Sequence, residues 1–114
     1  MPILGTRKQI GGWTCQGTPP SMEIEEIALA IIKLIGMNPA RGGRLDEYPY
    51  HGLGGVGYTF YQPLTDSYIV FDVYSEIDET KVVLASCKPY NHQGVGILLR
   101  KLIGPLVQQG SFSL

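Results

Sequence analysis

Apolar residues recur with helical spacing between residues 24 and 35 of this 114-residue chain. A stripe of this kind predicts an amphipathic helix whose apolar face must be covered by another element. Ser21 is a suitable N-cap, and the acidic residues that follow it suit the positive end of a helix dipole. Gly36 and the Asn38-Pro39 pair are expected to end the helix. The stripe consists of Ile24, Ile27, Ala28, Ile31, Leu34 and Ile35.

The hydrophobic pattern changes to period two beyond this helix. Val, Tyr and Phe alternate with Gly, Thr and Tyr over residues 56–61, which predicts a strand that Pro63 stops. Two further runs of β-forming residues, 68–74 and 81–86, predict strands joined by a hairpin connection at 75–80. An antiparallel sheet is therefore expected in the middle of the chain.

Two weaker elements complete the predicted order of strand, helix, several strands, helix and a short final strand. Residues 7–15 are compatible with a first strand, although Gly11 and Gly12 weaken it. Asn91 is a suitable cap for a second helix, which Gly104-Pro105 ends. Its apolar face is Val95, Leu98, Leu99 and Leu102. We expect one α+β domain over residues 1–114, a two-layer sandwich with both helices on one face of an antiparallel sheet.

Length and composition exclude several classes of protein. A 12.5 kDa chain with 44% hydrophobic and 17% charged residues is one globular domain and is not intrinsically disordered. A net charge of −1 provides no basic field for a nucleic-acid partner. The longest apolar run, residues 27–35, contains Lys33 and is much shorter than the ~20 residues of a membrane span. No nucleic-acid or membrane partner is therefore expected.

The cysteines and the termini favour a cytoplasmic protein that associates with itself. Cys15 and Cys87 are too few for a disulfide scaffold, so a reducing compartment is the default. The N-terminus has no signal-peptide pattern, because its charges follow the apolar residues and no cleavage site is present. Low charge, seven tyrosines and an open antiparallel sheet favour a homodimer or a larger homo-oligomer.

Neither the glycine cluster nor the histidines indicate a nucleotide or metal site. The cluster at residues 51–57 is followed by a predicted strand, whereas a phosphate loop requires the N-terminus of a helix. A glycine hairpin or bulge is the favoured interpretation. His51 and His92 have no metal-ligand spacing with either cysteine, and each is interpreted as a surface or turn residue. We expect no bound metal.

The segment from Thr65 onward resembles a known enzyme family. Taken alone, Asp66 is a turn former, Ser67 a strand-edge hydroxyl and Cys87 a small buried residue. The stretch Thr65-Asp66-Ser67-Tyr68-Ile69-Val70-Phe71-Asp72-Val73-Tyr74-Ser75-Glu76, with a following strand that ends Ala85-Ser86-Cys87, is similar to a family signature. That signature is Ser-Glu-Ser-His, apolar residues, His-Thr-Trp-Pro-Glu and a strand ending in Thr-Cys. It is typical of the prokaryotic S-adenosylmethionine decarboxylases.

The resemblance implies a fold, a chemistry and a set of site residues. Family members are dimeric and cut their own backbone before the serine through an N-to-O acyl shift. The serine then becomes a pyruvoyl group that holds the substrate amine. Carried over, Asp66-Ser67 is the cleavage site, Ser67 the source of the pyruvoyl group and Cys87 the catalytic proton donor. Glu76 matches the glutamate of the motif and is assigned to substrate binding.

Several positions depart from the signature, including its Trp and Pro, which are Tyr74 and Ser75 here. The histidine needed for processing falls on Asp72, a carboxylate that does not supply the same acid–base chemistry near pH 7. The second catalytic serine falls on Thr59, or on Gly57 in another alignment, and the histidine after the cleavage serine is Tyr68. We therefore expect an intact chain that lacks the pyruvoyl group, and no other cofactor.

Three functional hypotheses remain open at this point. The first is a pyruvoyl-dependent decarboxylase of polyamine synthesis, or its proenzyme, which acts on S-adenosylmethionine, arginine or ornithine. The second is a non-processing homologue that binds a small amine or amino acid, or serves in assembly. The third is an unrelated ferredoxin-like regulatory domain.

Hairpin pairing leads to a geometric expectation about the site. Antiparallel pairing through residues 75–80 places Ser67 and Cys87 at the same end of the sheet. Their side chains are expected to face one shared cavity within roughly 10 Å of each other. Thr59 is expected to approach this end, with Asp66 and Asp72 nearby.

Overall fold

The computed structural model describes residues 8–49 and 56–114 of the chain. In chain order the elements are β1 (Gln9–Gln16), a 3-10 turn (Ser21–Glu23), α1 (Ile24–Leu34), β2 (Arg44–Pro49), β3 (Val56–Leu64), β4 (Ser67–Tyr74), a second 3-10 turn (Ser75–Ile77), β5 (Glu79–Ser86), α2 (His92–Leu102) and β6 (Leu106–Ser113). The predicted order of elements is confirmed. The sequence pattern did not single out β2.

All six strands form one antiparallel sheet in the order β2-β3-β4-β5-β1-β6. The strands from β2 to β5 are consecutive hairpins, whereas β1 is inserted between β5 and β6 by long-range pairing. The β1 residue Gln9 lies opposite Ser86 of β5 on one side and Ser113 of β6 on the other. The α+β class is confirmed.

A single apolar core joins one face of the sheet to both helices. Along β4 the burial alternates, so that Ile69, Phe71 and Val73 are buried while their neighbours are not. These side chains belong to one cluster with buried residues of α1 and α2, and the two helices contact each other. Both helices therefore cover the same face of the sheet, as predicted. No helix of the described residues covers the other face, which we call the open face.

The helix α1 begins later than the sequence pattern predicts. Ser21 opens a 3-10 turn and makes no side-chain capping hydrogen bond; Glu23 occupies the N-cap of the α-helix, also without one. The prediction of Ser21 as the cap is wrong, because the short turn after Pro20 separates it from the α-helical register. The left-handed Gly36 follows the helix as expected. Leu34 is exposed and Ile32 is buried in the stripe instead.

The helix α2 begins where the sequence predicts. The Asn91 side chain accepts a hydrogen bond from the Gly94 amide at 2.9 Å, which confirms the cap. Gly96 allows close packing, since a Cβ there would lie 3.2 Å from Nε1 of Trp13. Val95 and Leu99 are buried, but Leu102 at the end of the predicted apolar face is exposed.

Pro63 does not stop β3, which continues to Leu64. The pairing with β2 ends at Tyr61, opposite Arg44, so at Pro63 that side of the strand lies beyond the ladder and no amide hydrogen is needed there. The Pro63 carbonyl accepts a hydrogen bond from the Ala40 amide at 3.0 Å instead. Arg7 and most of the glycine cluster, 51–55, lie outside the described residues, and Gly57 is part of β3.

The structure also bears on the cysteines and on the expected absence of a membrane span. Cys15 and Cys87 are both free thiols. The two helices have 11 residues each, and within residues 8–49 and 56–114 no helix combines the length and apolar character that crossing a bilayer requires.

Candidate functional site

The turn between β3 and β4 carries the Asp66–Ser67 peptide. Leu64 pairs with Ser67, so Thr65 and Asp66 alone connect the two strands. Asp66 adopts a left-handed conformation with φ of 58°. Aspartate tolerates this region better than most residues, but it is still a costly backbone geometry for a residue with a Cβ.

Ser67 and Cys87 contact each other at the end of the sheet. The Cys87 amide donates a hydrogen bond to Ser67 Oγ at 3.0 Å, and the Ser67 hydroxyl donates to Cys87 Sγ at 3.6 Å. This contact follows from the β4–β5 register, in which Tyr68 lies opposite Ala85. Ser67 is only 7% exposed, so its hydroxyl is held by the protein more than by water. The predicted proximity of the two side chains is confirmed.

The backbone around Cys87 is held by Ser86. The Ser86 hydroxyl donates to the Lys88 carbonyl at 2.8 Å and accepts from the Lys88 amide at 3.1 Å. These bonds form a tight turn directly after β5. Cys87 lies at the centre of this turn, which directs its amide to Ser67.

Lys8 completes this end of the sheet. It precedes β1, and the pairing of Gln9 with Ser86 places it beside Cys87. Its Nζ donates a hydrogen bond to the carbonyl oxygen of Asp66. Two backbone hydrogen bonds to Leu114, of 3.0 and 2.8 Å, hold the Lys8 main chain. The motif does not contain Lys8, and only the long-range pairing of β1 with β5 reveals it.

Thr59 and Asp72 form a second pair at a distance from Ser67. They lie opposite each other on β3 and β4, and Thr59 Oγ1 donates to Asp72 Oδ1 at 2.7 Å. Asp72 lies five positions beyond Ser67 on the same strand, about 17 Å away, and the odd spacing places the two side chains on opposite faces of the sheet. The expectation that Thr59 and Asp72 approach Ser67 is therefore wrong within one chain.

Glu76 lies at the same end as the Thr59–Asp72 pair. It belongs to the 3-10 turn after β4, and its Oε2 is buried without a hydrogen-bond partner among the described residues. A buried carboxylate oxygen of this kind is costly unless a donor satisfies it. The residues carried over from the motif therefore lie at two opposite ends of the sheet. Asp66, Ser67 and Cys87 are at one end, and Thr59, Asp72 and Glu76 are at the other.

A groove on the sheet lies away from Ser67 and Cys87. A groove of about 530 Å³ runs across β5, β1 and β6, where Gly12 lies opposite Gly110. Neither Ser67 nor Cys87 lines it. The two side chains contact each other directly, and neither described depression is the shared cavity that the sequence predicts.

Burial raises the pKa of three groups outside the Ser67–Cys87 contact. It raises the pKa of the Cys15 thiol from 9.0 to about 11. The pKa of Tyr58 rises to about 12, chiefly through burial and secondarily through the negative charges of Glu23 and Glu47. Its hydroxyl donates to the Pro19 carbonyl. Burial also raises the pKa of Tyr90. Cys15 and Tyr58 belong to the apolar core and Tyr90 packs against it, away from the turn at Asp66 and Ser67.

The histidine interpretation needs a correction. His92 is the first residue of α2 and stacks on Trp13 with ring centroids 4.5 Å apart, so it is a packing residue rather than a surface or turn residue. His51 lies outside the described residues. Among residues 8–49 and 56–114, no cluster of three His, Cys, Asp or Glu side chains is arranged to hold a metal ion.

Comparison with known proteins supports the fold. The chain is similar to the crystal structure of the adenosylmethionine decarboxylase from Aquifex aeolicus VF5, with a TM-score of 0.65 and 13% sequence identity over 96% of this chain and 88% of that one. No family model matches the sequence. No curated protein matches it either. At this identity the similarity concerns the fold.

Proposed function

We propose that this chain is an S-adenosylmethionine decarboxylase-like protein that remains one uncut polypeptide, related to the pyruvoyl-dependent amino-acid decarboxylases of polyamine synthesis. The observation that carries the proposal is the contact of the Ser67 hydroxyl with the amide and sulfur of Cys87. It occurs beside the peptide bond that the motif marks for cleavage. The fold similarity to an adenosylmethionine decarboxylase supports it.

The same geometry supports the proposed uncut state. Formation of a pyruvoyl group requires a base that removes the Cα proton of Ser67 after the ester has formed. Asp72 is about 17 Å away along β4 and faces the opposite side of the sheet. Within one chain Asp72 therefore does not reach Ser67 as that base, and we propose that the chain carries no pyruvoyl cofactor.

We propose a homodimer that uses the open face. Exposed apolar and aromatic side chains lie on that face, among them Tyr61, Tyr68 and Val83, the last 38% exposed. Two open faces stacked against each other would cover these side chains and the Thr59–Asp72 pair. The Ser67 side chain belongs to the opposite, helix-covered face, so this dimer would leave Ser67 and Asp72 separated.

A second candidate function is a non-catalytic module that binds a small amine or amino acid. The buried Oε2 of Glu76 favours it, because an ammonium group would supply the hydrogen bond that no described residue provides. Asp72 lies at the same end and adds negative charge. This function needs neither a base near Ser67 nor a reactive Cys87.

Intact-mass spectrometry of the purified protein tests the proposed uncut state. We expect a single species of 12.5 kDa that gains no mass when treated with an amine and cyanoborohydride, since there is no carbonyl to form a Schiff base. Ser67→Ala is the control and should give the same pattern. Two fragments divided before Ser67, with a trappable carbonyl in the second one, would overturn the proposal.

A further inference from the structure

We infer that the outer edge of β6 pairs with the same edge of a second copy of this chain, so that two sheets join into one. This contact is separate from the face-to-face dimer proposed above, because edge pairing extends the open face and does not cover it. It requires no chemistry at Ser67 and therefore goes beyond the proposed function.

The first observation is the difference between the two edges of the sheet. β2 forms one edge and contains three charged residues and a terminal proline, which discourage an edge strand from pairing with another chain. β6 forms the other edge, and its eight residues, Leu106–Ser113, include neither a charge nor a proline. Seven of the eight are exposed. β6 therefore lacks the protection that β2 has.

The second observation is the direction of the backbone groups of β6. Lys8 and Leu114 exchange two backbone hydrogen bonds, of 3.0 and 2.8 Å. Because bonding alternates along an antiparallel pair, every second residue of β6 bonds to β1, and the residues between them direct their amide and carbonyl groups outwards. Within residues 8–49 and 56–114, no strand pairs with this outer side. The outward residues are Gln109, Ser111 and Ser113.

The third observation is a complementary shape on the open face. Gly110 of β6 lies beside Gly12 of β1, and the two glycines form the floor of the groove described above. A Cβ at Gly110 would have no described atom within 4 Å, so the space above it is open. Phe112 lies two residues further along the same face and is 59% exposed. The edge thus presents a ring and an open floor at neighbouring positions.

Antiparallel pairing about a two-fold axis at Ser111 uses both features. Ser111 then lies opposite its own copy, and Gln109 lies opposite Ser113 of the second copy. These outward pairs would form about six backbone hydrogen bonds. Phe112 lies opposite Gly110 of the second copy at a closely spaced position, where its ring covers the glycine and the adjoining groove. No like charges oppose each other, and the symmetry makes the Phe112–Gly110 contact occur twice.

Disulfide cross-linking tests the pairing and its register. In a Cys87→Ser background, which removes the partly accessible native thiol, Ser111→Cys should cross-link to its own copy under mild oxidation. The two Cα atoms would lie about 5.5 Å apart, within the range of a disulfide. Gln109→Cys is the matched control on the same edge, because its two copies would lie about 13 Å apart. We expect Ser111→Cys to cross-link at least ~10-fold faster than Gln109→Cys.

The face-to-face dimer does not produce this result, because the Ser111 side chain lies on the side of the sheet away from the open face. A mixture of Gln109→Cys and Ser113→Cys chains should also cross-link, between unlike chains. Equal rates for Ser111→Cys and Gln109→Cys, or no cross-link in either, would overturn the inference. Faster cross-linking of Gln109→Cys would overturn the register on which it rests.

Sedimentation equilibrium measures the contribution of the outward amide. Tyr61→Glu serves as the background, because it weakens the face-to-face contact at a residue that does not line the groove. In this background, Ser111→Pro should weaken association at least ~10-fold, because each copy loses one outward N–H while its bonds to β1 remain. Ser111→Ala keeps that N–H and should associate like the background protein.

Equal urea midpoints for Ser111→Pro and Ser111→Ala would show that the proline leaves the fold intact. Equal association of these two variants would refute edge pairing, and so would a monomeric Tyr61→Glu protein at micromolar concentration. The cross-linking experiment contains no proline and decides the question even where Ser111→Pro unfolds the chain. Intact mass, which tests the uncut state, is independent of both measurements.

Discussion

The two ends of the β3–β4 hairpin contrast in how they hold their polar residues. At the turn end, Ser67 is buried and bonded to the backbone and sulfur of Cys87. At the other end, the bond between Thr59 and Asp72 lies on the open face. The Ser67–Cys87 contact is buried within one chain. The Thr59–Asp72 bond lies on the face that a partner chain can contact.

This difference shows that residues adjacent in a motif can be separated in the fold. Ser67 and Asp72 are five positions apart on one strand, and strand geometry places them on opposite faces at a distance of about 17 Å. A base and a nucleophile must approach within hydrogen-bonding reach of the reacting atoms to cooperate. Within one chain, the Ser67 hydroxyl and the Asp72 carboxylate are therefore too far apart to act on the same atoms.

The largest expected contrast is between the two thiols. Cys87 lies at the turn end and is partly accessible, whereas Cys15 is 0% exposed near the other end of the sheet. A disulfide reagent should modify Cys87 in the folded chain at least ~1,000-fold faster than Cys15, which requires unfolding of the core. Stopped-flow measurement of thiol release provides the rates. Cys87→Ser should lose the fast phase, and a fast phase that persists would contradict the assignment.

The next effect is a loss of stability in alkali. Below pH 9 the Cys15 thiol is neutral in both states, but between pH 9 and about 11 only the unfolded chain releases this proton. The folded state then binds more protons, so the free energy of unfolding falls as pH rises, by up to about 2–3 kcal/mol. Tyr58 adds a similar dependence above pH 10.

Urea titrations at pH 8 and pH 11 measure this dependence. Cys15→Ala removes one of the three groups whose pKa is raised by burial and should show a smaller decline than the wild type. Equal declines in the two proteins would show that Cys15 is not the cause.

The smallest expected effect concerns the open face. Val83→Glu places a charge on this face and should weaken a homodimer about tenfold, as measured by sedimentation equilibrium. The control is Ile97→Glu, on α2, where the native side chain is 60% exposed. Its association should match that of the wild type. A wild-type chain that is monomeric at micromolar concentration would refute the dimer.

The sequence by itself determined the elements whose signals are local. The stripe from Ile24 predicted α1, and the Asn91 cap predicted the start of α2. Alternation predicted β3, and runs of β-forming residues predicted β4 and β5. The contact of Ser67 with Cys87 was also predictable, because consecutive strands joined by a short connection have a restricted register. Each of these sequence signals lies within a few residues of the helix, strand or turn that it predicts.

Only the tertiary structure decided which distant segments meet. The pairing of β1 between β5 and β6 brings Lys8 to the Asp66 carbonyl, and no local pattern encodes a pairing between strands so far apart in sequence. The separation of Thr59 and Asp72 from Ser67 likewise follows from the pleat and register of the assembled sheet. Periodicity shows which face of an element is apolar, whereas its neighbours are chosen by packing of the whole chain.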